Sequence, residues 1–154
     1  MIFIGCDPGA TGAVSVIGGG KLIAVFRFAR MRPSQAAKEL ITMGMTRAPV
    51  TGVIERVHGF LGQGASMSFK FGESYGLALG MFDELGVEPL LVEPKAWQKS
   101  LGVPRFENKV DRKNWVHATM TDLYAQPGIK LYKDAADSIA ITHTLSLRGA
   151  ALSF

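Results

Sequence analysis

The chain has 154 residues, 47% of them apolar, with one cysteine and a formal net charge of +4. That is enough chain for one domain with a proper core and too apolar a composition for disorder, while a lone cysteine excludes a disulfide framework and points to a reducing compartment. No apolar run reaches membrane-spanning length and no basic leader precedes Asp7, so the expectation is a single cytoplasmic domain over residues 1–154 with no membrane contact.

The elements follow in chain order. Ile2 to Cys6 reads as a buried strand that runs into Asp7-Pro8-Gly9, and Thr11 to Ile17 and Lys21 to Phe28 read as a hairpin around Gly18-Gly19-Gly20. After a basic cluster of Arg27, Arg30 and Arg32, Pro33 opens a helix to about Met45. Val50 to Glu55 is the next strand, followed by a glycine-rich loop from Gly59 to Gly64 and a long helix from Ala65 to Leu85 stopped by Gly86. Glu88 to Glu93 is a short strand, Lys95 to Ser100 a helical turn, Val103 to Glu107 a basic loop, and Asn108 to Tyr124 a helix. The final helix runs from Asp134 to Arg148, with Gly149 as its stop. Three strands followed by alternating helices and strands make an α/β fold: a mixed sheet between helical layers, without repeats or linkers.

Four carboxylates punctuate this order. Asp7 and Glu55 each close an apolar strand, and Asp134 and Asp137 open the last helix. Each has a plain structural explanation, since Asp-Pro-Gly is good turn chemistry and an aspartate at a helix start caps it. Glu55 is the exception, because a carboxylate at the end of a buried strand costs desolvation unless it is paired or holds a cation. Residues three apart on a helix lie about 60° apart around the axis, so Asp134 and Asp137 can face one ion. All-oxygen ligation suits a hard cation, Mg²⁺ or Mn²⁺.

The charge is localised too. Between Lys95 and Lys113 six basic residues, Lys95, Lys99, Arg105, Lys109, Arg112 and Lys113, face only Glu107 and Asp111, a surplus equal to the whole net charge. The same run also reads as a solvated helical face. Beside acidic metal ligands, however, a separate basic stretch is what an enzyme acting on a polyanion needs.

Ile4-Gly5-Cys6-Asp7-Pro8-Gly9-Ala10-Thr11-Gly12, Val53-Ile54-Glu55 and Asp134-Ala135-Ala136-Asp137-Ser138-Ile139-Ala140 closely resemble the motifs of RuvC-type Holliday-junction resolvases. The segment Ser66 to Gly76 and the stretch around Lys109 resemble that family as well, and the short length is closest to the reduced forms carried by bacteriophages, whose setting would be the host cytoplasm. The resemblance implies a ribonuclease-H-like fold with a five-stranded mixed sheet, a homodimer, and an endodeoxyribonuclease that resolves four-way DNA junctions by paired nicks. It implies Asp7, Glu55, Asp134 and Asp137 as catalytic metal ligands, and Lys109 and Lys113 as phosphate contacts, with Arg105 and Arg112 beside them in the basic stretch. Where the bacterial family has a stacking aromatic after the glutamate, this chain has His58, with Phe60 two residues further on.

The chemistry expected of such a site is phosphodiester hydrolysis with two divalent ions roughly 4 Å apart, one generating hydroxide and one stabilising the leaving oxygen. Asp7 would bridge them, and no protein nucleophile or nucleotide cofactor is needed. His143 should face away from the carboxylates, His117 sits within a helix, and Glu73, Glu93, Trp97 and Trp115 read first as surface, strand-end or packing residues. Gly72, Gly76 and Gly80 form a smooth strip on the long helix that suits either its own sheet or a second subunit. Three other readings compete: a ribonuclease or transposase-like core, a nucleotide-binding fold with an Asp-Pro-Gly-Ala-Thr-Gly phosphate loop, and a non-catalytic DNA-binding relative.

Overall fold

The computed structural model describes residues 1–58, 62 and 64–149. Strands β1 (Ile2–Asp7), β2 (Ala13–Gly18) and β3 (Lys21–Arg27) precede helix α1 (Pro33–Thr42), strand β4 (Val50–Glu55), helix α2 (Ala65–Leu85), strand β5 (Pro89–Val92) and helices α3 (Pro94–Leu101), α4 (Lys109–Tyr124) and α5 (Ala136–Arg148). The five strands form one sheet in the order β3-β2-β1-β4-β5. β1 is antiparallel to β2 and parallel to β4, which is in turn parallel to β5. This is the five-stranded mixed sheet of a ribonuclease-H-like fold.

Strand alternation divides the core in two. Ile4, Cys6, Val14, Val16 and Ile54 meet Ala36, Ala37 and Leu40 of α1 and Ala78, Met81 and Phe82 of α2 on one face. Ala13, Ile17, Val53 and Val92 meet α3, α4 and α5 on the other, where Trp97, Val116, Met120 and Ile139 are fully buried. Cys6 is buried, and burial first, then the charges of Asp7 and Glu55, push its thiol pKa well up, so it behaves as a small hydrophobe.

The register decides what gathers at one end of the sheet. Asp7 pairs with Ala13, and Ala13 pairs with Arg27. Cys6 pairs with Ile54, one residue short of Asp7 and Glu55, and Glu55 pairs with Val92. The row along this edge therefore runs Arg27, Ala13, Asp7, Glu55, Val92.

Helix α5 closes on that row by direct contact with β1. Gly5 makes this possible, because a Cβ there would collide with Thr142 Oγ1 and lie 2.8 Å from the Thr142 backbone nitrogen. Ser138 donates to the Gly5 carbonyl at 3.1 Å, and the Ser15 and Thr142 hydroxyls are hydrogen-bonded. These buried contacts fix the helix along the strand. No helix among the described residues is long and apolar enough to cross a membrane.

The last segment departs from the sequence expectation. Instead of one helix from Asp134, residues Lys133–Ala135 form a 3-10 turn and α5 begins at Ala136. Asp134 and Asp137 thus lie in different elements, and the continuous-helix geometry expected to align them does not apply across the junction.

Candidate active site

A cavity of about 880 Å³ opens at this end of the sheet, lined by Asp7, Glu55 and Asp137 together with Lys95, Arg105, Lys109, Arg112 and Lys113. Most of the basic stretch thus flanks three of the four expected carboxylates. The turn Gly9 to Gly12 forms part of the wall, and Gly12 has no room for a side chain, since a Cβ there would strike the Asp7 carbonyl. Phe71, from α2, lines the cavity as well and is 42% exposed, and sequence reasoning did not single it out.

Asp7 accepts a hydrogen bond from the Gly9 backbone N–H at 3.2 Å. Burial raises its pKa, and Asp137 adds to the rise against the opposing pull of that N–H and of Lys113 and Arg112. Glu55 is pushed from 4.5 up to about 7, chiefly by burial and then by Asp7, although the Trp97 indole N–H donates to its Oε1 at 2.7 Å and favours the charged form. Trp97 is therefore both a buried packing residue and the clamp on Glu55.

Asp137 is held differently. Arg112 of α4 donates from Nη1 to Oδ1 at 3.2 Å and from Nη2 to Oδ2 at 3.0 Å, with both side chains largely shielded. Arg112, expected in the basic stretch beside the phosphate contacts, thus holds a carboxylate of the site. Its guanidinium carbon also stands 5.9 Å from the centre of the Trp97 ring.

Asp134 is not among the residues lining the cavity. Its carboxylate receives the Arg27 fork, with Nε at 2.7 Å from Oδ1 and Nη2 at 2.6 Å from Oδ2. Tyr132 stacks under that guanidinium at 4.0 Å. Of the four expected carboxylates, Asp7, Glu55 and Asp137 line the cavity, while Asp134 is paired with Arg27 of β3. No three His, Cys, Asp or Glu side chains among the described residues are close enough together to enclose a metal ion.

The remaining expected residues are placed as follows. Lys109 and Lys113 sit on the first turns of α4, where the Asn108 side chain caps the helix by accepting from the Asp111 N–H at 2.8 Å. His58 is hydrogen-bonded to Glu93 at 2.8 Å, and Arg56 lies 3.7 Å from the same carboxylate. Phe60 lies outside the described residues. His143 shares a 2.7 Å hydrogen bond with the Tyr124 hydroxyl, and His117 is 3.1 Å from the Leu131 carbonyl oxygen; neither lines the cavity. Arg27 was noticed in the sequence only as part of a basic cluster. Its place two strands from Asp7 in one register row would have marked it as a neighbour of the site.

The chain has a RuvC-type fold. Among solved structures that share it is the Thermus thermophilus RuvC in complex with a Holliday-junction substrate, which aligns over 96% of this chain and 94% of that chain at a TM-score of 0.63 and 18% identity. A second Thermus thermophilus RuvC structure aligns over 96% of this chain and 95% of that one at a TM-score of 0.58 and 19% identity. No protein-family model matches the sequence, and no curated protein matches it either.

Proposed function

We propose that the protein is a divalent-metal-dependent endonuclease that cuts branched DNA and resolves four-way junctions by paired nicks as a homodimer. The observation that carries the reading is the cavity itself, in which inward carboxylates at two strand ends and a helix start are ringed by lysines and arginines. Acidic groups alone would repel DNA, and basic groups alone would only bind it.

The donor set fits a hard divalent cation. Asp7 and Glu55 form no ion pair with a basic side chain among the described residues, and burial raises both pKa values, with Asp137 adding to the rise of Asp7 and Asp7 to that of Glu55, a deficit that a bound cation would relieve. Asp7 and Glu55 would hold Mg²⁺ or Mn²⁺, with Asp137 facing them; when bound, the ion supplies Lewis-acid activation of water and of the scissile phosphate. The chain's own residues do the rest. Trp97 and the Gly9 N–H orient Glu55 and Asp7, Lys109, Lys113 and Arg105 attract and seat the phosphates, and the apolar sheet behind the row limits water to the open side.

A homodimer is supported by α2. Its residues from Ala65 to Glu73 are all exposed, Met67 and Phe69 stand 56% and 74% open, and a Cβ at Gly72, Gly76 or Gly80 would touch nothing. The glycine strip thus does not serve packing on its own sheet. An open apolar strip of this kind suits a second copy, and two-fold symmetry would supply the two nicks that a junction requires.

The test is cleavage of a four-way junction beside an RNA–DNA hybrid in Mg²⁺, under single-turnover conditions. Asp7→Asn should lose junction cleavage by at least about 10³-fold, the scale on which catalytic electrostatic groups act, while gel shifts show binding retained. Near-normal cutting by that variant, or a preference for the hybrid in the wild type, overturns the reading.

A further inference from the structure

The register row that holds Asp7 continues outward through Ala13 to Arg27, and strands spaced about 5 Å apart put Arg27 about 10 Å from Asp7 at the same end of the sheet. Around Arg27 the chain gathers further cations. Arg30 lies in the turn that follows, its backbone N–H donating to the Arg27 carbonyl at 2.9 Å. Tyr132 has the Arg27 guanidinium 4.0 Å and the Lys130 ammonium 5.0 Å from its ring centre, and Lys133 follows it directly. Arg30, Lys130, Tyr132 and Lys133 are all exposed, and the three cations among them form no ion pair among the described residues. The single acid in segments 27–30 and 130–134 is Asp134, whose two oxygens Arg27 already covers.

We propose that this β3-side surface is a second DNA contact, which seats the duplex arm of a junction leading away from the scissile phosphate, with Lys130, Lys133 and Arg30 on its backbone. The inference rests on the nuclease reading above and deepens it. Lys109, Lys113 and Arg105 line the cavity, whereas Arg30, Lys130 and Lys133 stand outside it. Neighbouring cations repel one another, and here the Tyr132 ring holds Lys130 beside Arg27 while the fork on Asp134 fixes Arg27 itself, so the positive surface is arranged before a ligand arrives. A ligand that meets both the cavity and this surface must carry negative charge repeatedly over 10 Å or more. A DNA strand does so, with one phosphate per about 3.4 Å of helix axis, which puts the surface within about five phosphates of the cut. Lysine and arginine contacts of this kind fix the position of the arm without reading its sequence.

The test is junction binding in a chelator, so that nothing is cut, measured by fluorescence anisotropy across a salt series. Single phosphates are replaced by uncharged methylphosphonates along about five positions on either side of the cut. In the wild type, a run of replacements on one side should weaken binding. The double variant Lys130→Ala/Lys133→Ala should fold as the wild type does, lower the salt slope by about two, and lose its sensitivity to that run. Lys130→Arg/Lys133→Arg should keep both properties, and Lys21→Ala, at the opposite end of β3, should change neither. A wild type without a sensitive run, an unchanged slope in the double variant, or an equal loss in Lys21→Ala overturns the proposal. A wild type that fails to bind the junction at all is a different result, because it removes the nuclease reading of the cavity as well.

Discussion

Glu55 carries the clearest pH signature in the molecule. Its pKa is raised from 4.5 to about 7, so the folded protein keeps a proton there that the unfolded chain has already released. The stability tied to that proton is complete below about 4.5 and is lost as pH rises through about 7, an effect on the order of 2–3 kcal/mol after allowing for partial solvent access. In a chelator, melting temperature should therefore fall between pH 5 and pH 8, and Glu55→Gln should flatten that slope. Mn²⁺ should restore the loss at pH 8 in the wild type and not in the variant. At the β3 edge, Arg27→Met and Asp134→Asn should each lower the melting temperature, and the double variant should be no less stable than the worse single, because either change breaks the same fork. Additive losses would show that the two side chains act independently. These residues differ in how far sequence discloses them. A glutamate ending the run Val50 to Ile54 is anomalous on its own, whereas Arg27 and Asp134 lie 107 positions apart and neither is unusual where it stands.

At the scale of elements, the seat of α5 on β1 controls the site's geometry. Gly5→Ala brings a methyl group against Thr142 Oγ1 and its backbone, and the backbone cannot rotate aside. Chemical denaturation should show a loss of about 3 kcal/mol or more, the upper range for overpacking. Adding Thr142→Ala should recover only part of it, and full recovery would mean that the hydroxyl alone sets the spacing. The strands and long helices were legible because their patterns are local: alternation in β1 and β2, Gly86 at the end of α2, Pro94 at the start of α3. The break between the 3-10 turn and α5 was not. Asp-Ala-Ala-Asp has ordinary helix chemistry, and the turn is stabilised by a distant strand through Arg27 rather than by its own residues.

For the whole molecule, charge and symmetry carry the expectations. Lys109→Ala and Lys113→Ala should each weaken junction binding and lower its salt slope by about one unit per lost phosphate contact, read from affinities across a salt series. Unchanged slopes would make this stretch a solvated surface. Gly76→Leu should fold, since a side chain there meets open space and a helix favours leucine over glycine. It should sediment as a monomer and fail to make paired nicks, and a folded variant that stays dimeric would remove the strip from the interface. The overall architecture was readable from the order of elements and the family resemblance together, while the partnering of charges across the sheet required three-dimensional register.

The close seat of α5 also bears on synthesis. Asp7 and Asp137 are separated by nearly the full described chain, yet the cavity that holds them exists only where the last helix lies against the first strand. Loop closure over such a span comes late in folding. A ribosome-bound chain that has exposed β1 to α4 but still holds α5 in the exit tunnel would have its basic surface without the Asp137 side of the cavity. On the nuclease reading proposed above, a translation product that stops before α5 would leave DNA intact.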